Sequence, residues 1–174
     1  MRRPRASRRR RPDNLAQSDP DPDDTAEVRK TALDLLARRE HSTLELKEKL
    51  IRRDFAPGRI EQVLESLAQD GLLSDERFAE AFVATRVRRG QGPLRIRREL
   101  DQRGVAAALA ARHLDAYRDA WLEIASKARR KRFGVEPRRD YTERARQARF
   151  LQYRGFSTEQ IMQVLDADDV LAGS

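Results

Sequence analysis

Three times in this chain an apolar residue is followed five positions later by another, with an arginine two before the second: Leu50 with Phe55, Leu100 with Val105, Leu151 with Phe156. The copies lie fifty and then fifty-one residues apart. The register extends outwards, because Leu44 and Leu46 match Leu94 and Ile96, while Val63-Leu64, His113-Leu114 and Val164-Leu165 stand at equal distances downstream. Self-similarity at such a period marks stacked supersecondary units, none of which buries its apolar face alone. A tandem array is therefore expected in place of a single bundle.

The middle copy, Gly92 to Val105, shows what each unit is built around. Pro93 suits a first helical position, with φ preset and no amide proton required, and Gly104 suits a left-handed helix end. Ile96 and Leu100 then share one face of a short helix, with Val105 closing over them.

In chain order, residues 1–27 carry an arginine block (Arg2 to Arg11) and an acidic, proline-broken block (Asp13 to Glu27). So little apolar surface predicts a disordered charged tail. The first unit, 28–73, opens with a helix near Thr25 to Arg39. Ser42-Thr-Leu-Glu45 is a capping box for the second helix, and a third carries Ile60, Val63, Leu64 and Leu67. The second unit, 74–115, starts at Ser74, an N-cap followed by Asp75 and Glu76 where carboxylates complement the helix dipole. Phe78, Phe82 and Val83 face inwards, and Ala106 to Asp115 forms its last helix. The third unit, 116–170, has a long helix around Ala116 to Phe133, a loop over 134–139, a helix near Asp140 to Arg154 and a second capping box, Ser157-Thr-Glu-Gln160. Period-two alternation is absent, so the fold class is all-α: an elongated array of three three-helix repeats.

The composition narrows the function. There is no cysteine, and His41 and His113 lie far apart, so neither a metal site nor a cofactor is expected. No apolar run approaches a membrane span, which makes a cytoplasmic protein the expectation. Nucleophile elbow, glycine-rich phosphate loop and paired carboxylates are all missing from the pattern, so no enzyme activity is expected.

The net charge of +8 is unevenly spread: residues 86–103 hold seven basic against two acidic side chains, and 124–154 hold eleven against three. On the middle helix Arg95, Arg98 and Gln102 share a flank, and their repeat equivalents are Arg146, Arg149 and Tyr153; in the first unit that flank is Glu45, Glu48 and Arg52. The candidate binding residues are therefore Arg86, Arg88, Arg89, Arg95, Arg98, Lys127, Arg129, Arg130, Lys131, Arg146, Arg149 and Tyr153, with Arg132, Arg138 and Arg139 adjoining. Arginine and lysine recognise phosphate or carboxylate partners. Against this stands the plainer possibility of solvated faces with local acidic partners, such as Arg95 with Glu99.

Ser42-Thr-Leu-Glu-Leu-Lys-Glu-Lys-Leu50, Gly71-Leu-Leu-Ser-Asp75 with Phe78-Ala79, and Gly92-Pro-Leu-Arg-Ile96 with Glu99-Leu100 and Arg103-Gly104-Val105 resemble the bacterial RecX regulatory proteins over roughly residues 28–166. Asp54 departs from the pattern, which has glycine at that helix end. The resemblance implies three tandem three-helix repeats and a non-catalytic regulator that binds the RecA recombinase filament; a monomer is expected. It would restrain filament extension, ATP hydrolysis and strand exchange, with single- and double-stranded DNA as further partners. The alternative reading is an autonomous DNA-binding protein of helix-turn-helix type.

Overall fold

The computed structural model describes residues 22–134 and 140–171. In chain order the helices are α1 (Pro22–Leu36), α2 (Thr43–Ile51), α3 (Pro57–Gln69), α4 (Asp75–Arg88), α5 (Pro93–Asp101), α6 (Ala107–Asp115), α7 (Trp121–Phe133), α8 (Tyr141–Arg154) and α9 (Thr158–Leu171). They pack chiefly within successive triplets, giving three three-helix units in tandem, all-α among the described residues. The disordered tail expected over 1–27 lies outside the described residues up to position 21. The first helix, expected near Thr25, begins at Pro22. A proline is tolerated in a first turn, and the burial of Val28 and Ala32 anchors the rest of α1.

Local chemistry sets the helix ends. Ser42, Ser74 and Asp140 accept the amide protons of Glu45, Arg77 and Glu143, and Ser157 and Gln160 exchange bonds in a complete capping box. At Ser42 only half of the expected box forms, because the Glu45 carboxylate turns to the Arg39 guanidinium at 2.6 and 3.0 Å. The long helix expected from Ala116 begins instead with a single 3₁₀ turn, Arg118–Ala120, before α7. Tyr117, at φ −108° and ψ 11°, breaks the α-helical path there. The loop residues 135–139, including Arg138 and Arg139, are outside the described residues.

Among the described residues the buried side chains form two cores. Val28, Leu46, Leu50, Ile60, Leu67 and their neighbours belong to the first unit alone. The second core runs without interruption from Phe78 and Ile96 through Trp121 to Leu151 and Leu165, so units two and three share one interior. Polar contacts join the first unit to the second: Arg77 donates to Glu40 at 2.8 Å and to the carbonyls of Gly71 and Leu72, and Asp75 accepts the Thr43 amide proton at 2.8 Å.

Candidate functional site

The site grows out of the joint between units two and three. Gly155 ends α8 with φ +91°, and a Cβ there would lie 2.3 Å from Arg95 Cβ; one on Gly92 would lie 2.4 Å from the Gly155 carbonyl oxygen. The two glycines let backbone meet backbone. The amides of Gly92 and Leu94, unsatisfied donors at the start of α5, give their protons to the carbonyls of Arg154 and Gly155 at 2.8 and 3.0 Å. The negative end of one helix dipole thus abuts the positive end of another. Gly90, at φ +69°, lies against Ala128, bringing the end of α4 onto α7.

That seam forms a cleft of about 440 Å³ between the end of α4 and α7. Arg88, Arg89, Lys127, Lys131, Arg132 and Arg154 line it over a floor of Val87, Ile124 and Ala128, and among the described residues no carboxylate lines it. Arg154 is fixed twice, donating to the Arg89 carbonyl at 2.7 Å and stacking its guanidinium 4.9 Å from the Phe150 ring centroid. Arg88 donates to Thr85 Oγ1. Lys127 pairs at 2.8 Å with Glu123 on its outer side, and this bond holds the Glu123 carboxyl below its ordinary pKa. The cleft is a donor-only surface of fixed backbone geometry, suited to a polyanion through phosphate contacts and counterion release.

Arg89 also borders a second hollow, about 330 Å³, between units one and two. Here Phe82, expected to face inwards, is only half buried; the guanidiniums of Arg86 and Arg103 lie 4.5 and 4.8 Å from its ring centroid. Glu99 sits between Arg86 and Arg95, its carboxylate 2.9 Å from the Nε of each. The Glu99 bond raises the Arg95 pKa above its ordinary value. Across the joint the Arg95 guanidinium stacks 5.3 Å from the ring of Tyr153, which is 76% exposed.

The expected residues therefore divide. Arg88, Arg89, Lys127 and Lys131 converge in the cleft, although some forty residues separate the two pairs in sequence. Arg86, Arg95 and Tyr153 form the aromatic and acidic cluster beside it. Arg98 and Arg149 are exposed, with no side-chain partner among the described residues, whereas Arg146 pairs with Glu143 at 3.2 Å. Arg130 borders a separate hollow with Leu122 and Val164. Arg129 is a correction: it is 1% exposed and donates to Gln147 Oε1, so it serves the core and cannot meet a partner. Its spacing carried the signal, because Trp121, Ala125 and Arg129 fall at steps of four on the buried face. Arg154 was missed, although it is the repeat equivalent of Arg53 and Arg103.

Fold and cleft together define a three-unit helical repeat protein with a cation-lined seam between its second and third units. Models of the RecX first, second and third three-helix domains match residues 29–67, 74–114 and 119–165. The regulatory protein RecX of Halorhodospira halophila (strain DSM 244 / SL1) is 50% identical over 142 residues, covering 82% of this chain and 88% of its own length. That of Pseudomonas fluorescens (strain SBW25) is 46% identical over 143 residues, covering 82% and 92%. A crystal structure of RecX from Lactobacillus salivarius shares the fold, with TM-score 0.74 at 23% identity over 85% of this chain and 98% of that one. The chain belongs to the RecX family.

Proposed function

We propose that this chain binds the RecA recombinase filament together with its DNA and restrains filament extension, ATP hydrolysis and strand exchange, as a cytoplasmic monomer without catalysis of its own. The observation that carries the reading is the seam lined, among the described residues, by six cations and no carboxylate, and held between two units that share one core. A helical array can follow the groove of a helical filament, with each unit adding modest contacts, and a basic cleft adds the phosphate backbone within. Family membership supports the regulatory role, since the curated relatives carry the name regulatory protein RecX.

The test is RecA-dependent ATP hydrolysis on single-stranded DNA with increasing amounts of this protein. Inhibition at substoichiometric amounts is expected. Reversing Arg88, Arg89, Lys127 and Lys131 together to glutamate should abolish it while leaving helicity unchanged. Inhibition that survives the reversal overturns the role of the cleft. Strong sequence-selective binding to bare duplex, with no effect on RecA, would favour the autonomous DNA-binding alternative instead.

A further inference from the structure

We infer that Glu99, an acid inside a basic surface, is a positioning residue that raises affinity for the phosphodiester backbone of single-stranded DNA by holding Arg86 and Arg95 ready for it. The inference rests on the proposed DNA contact and adds to it a residue whose charge alone predicts the opposite effect. Glu99 is 14% exposed at its side chain and lies between two arginines that are 20% and 26% exposed. Its Oε1 accepts from Arg95 Nε at 2.9 Å. Its Oε2 is 2.9 Å from Arg86 Nε, but that N–H is not aimed at the oxygen, so charge rather than a directed bond holds the pair. The Glu99 backbone carbonyl accepts from Arg103 at 2.7 Å.

The carboxylate meets both arginines at Nε, the inner edge of the guanidinium. Each guanidinium lies over an aromatic ring, Arg86 over Phe82 at 4.5 Å and Arg95 over Tyr153 at 5.3 Å from the centroid. Both terminal nitrogens of Arg86 lack a hydrogen-bond partner among the described residues; on Arg95 only Nη1 is engaged, by a long 3.5 Å contact to the Tyr153 carbonyl. Arginine recognises a phosphate best with both forks presented in a plane. An unsupported arginine loses rotamer freedom when it binds, and a side chain frozen beforehand does not. Without Glu99, Arg86, Arg95 and Arg103 would repel one another across α4 and α5 and splay. The exposed Tyr153 ring adds a stacking surface for an unpaired base, which favours a single strand over duplex.

The experiment is fluorescence anisotropy of a fluorescein-labelled oligothymidylate with the full chain across a salt series. Glu99→Gln makes the protein more basic, yet affinity should fall about tenfold and the salt dependence should flatten, because the loss of two aimed forks outweighs the removal of one screened charge. Glu123→Gln, which frees Lys127 at the cleft rim, is the contrast and should tighten binding. Arg86→Lys and Arg95→Lys keep the charge, lose the fork and should each weaken binding; they carry the test if Glu99→Gln does not fold. Affinity that is unchanged or tighter in a folded Glu99→Gln, or unchanged in both lysine variants, overturns the role of Glu99 while leaving DNA binding intact. A wild-type chain that does not bind the oligonucleotide overturns the DNA contact itself.

Discussion

Gly92 and Gly155 meet across the joint of units two and three with no room for a side chain on either, and the amide proton of Gly92 is bonded to the carbonyl next to Gly155. Replacing Gly155 by alanine places a Cβ 2.3 Å from Arg95 Cβ at a residue with φ +91°. Steric overlap and left-handed strain act together, so a loss of about 3 kcal/mol is expected. Gly58→Ala is the control: its Cβ would have nothing within 4 Å, it lies in α3, and it should stabilise by about 0.5–1 kcal/mol. Urea unfolding of the three proteins measures both effects, and under the proposed function inhibition of RecA-dependent ATP hydrolysis should fall with Gly155→Ala alone.

Asp54 tests the same repeat position where the array begins. It has φ 64°, close to Gly104 at +73°, but a Cβ on Gly104 would lie 2.9 Å from Leu44 Cβ, whereas Asp54 is exposed. A side chain is thus tolerated sterically at position 54 and only the backbone is strained. Asp54→Gly should stabilise by about 1 kcal/mol and Gly104→Asp should destabilise by more than about 2 kcal/mol, both read as shifts in urea midpoint.

His41 gives a pH dependence. It is buried beneath Arg39 and Lys49: Nδ1 lies 3.0 Å from the Arg39 carbonyl and Nε2 lies 2.8 Å from Lys49 Nζ. Burial, followed by the nearby cations, holds its pKa below the ordinary value of 6.5, so the folded chain keeps the ring neutral. The unfolded chain binds that proton first. The stabilisation is fully present above the unfolded value near 6.5 and is lost as pH falls from there towards the folded value. The urea midpoint of the wild type should therefore decline between about pH 7.5 and 5.5 more steeply than that of His41→Gln; parallel slopes would refute the assignment.

What the sequence made legible was local. Ser74, Asp140 and Ser157 cap the helices they precede, and Gly104 and Gly155 end them, because caps and left-handed ends depend on one residue and its near neighbours. The repeat itself was legible because Leu50, Leu100 and Leu151 are buried for the same reason in each unit. The cleft was not, since bringing Arg88 beside Lys127 requires the docking of two glycine backbones, and no side-chain pattern records that contact. The pairing of Arg95 with Glu99 was legible from spacing, but the 2.9 Å approach of Arg86 from another helix was not.

Gln147 stands where the repeat places Leu46 and Ile96, and like them it is buried, at 4% exposure. Restoring the apolar pattern with Gln147→Ile looks like a stabilising change from sequence alone. The structure reverses the sign, because Gln147 Oε1 accepts a bond from the buried Arg129, and isoleucine removes an acceptor from a charged donor in a buried site. A loss of about 1–3 kcal/mol is expected for Gln147→Ile. Arg129→Met combined with Gln147→Ile removes both members of that hydrogen bond, so the two effects should not add. A coupling of more than about 1 kcal/mol is expected in a double-mutant cycle read by urea unfolding. Additive effects would show that Gln147 owes its place to packing and not to Arg129.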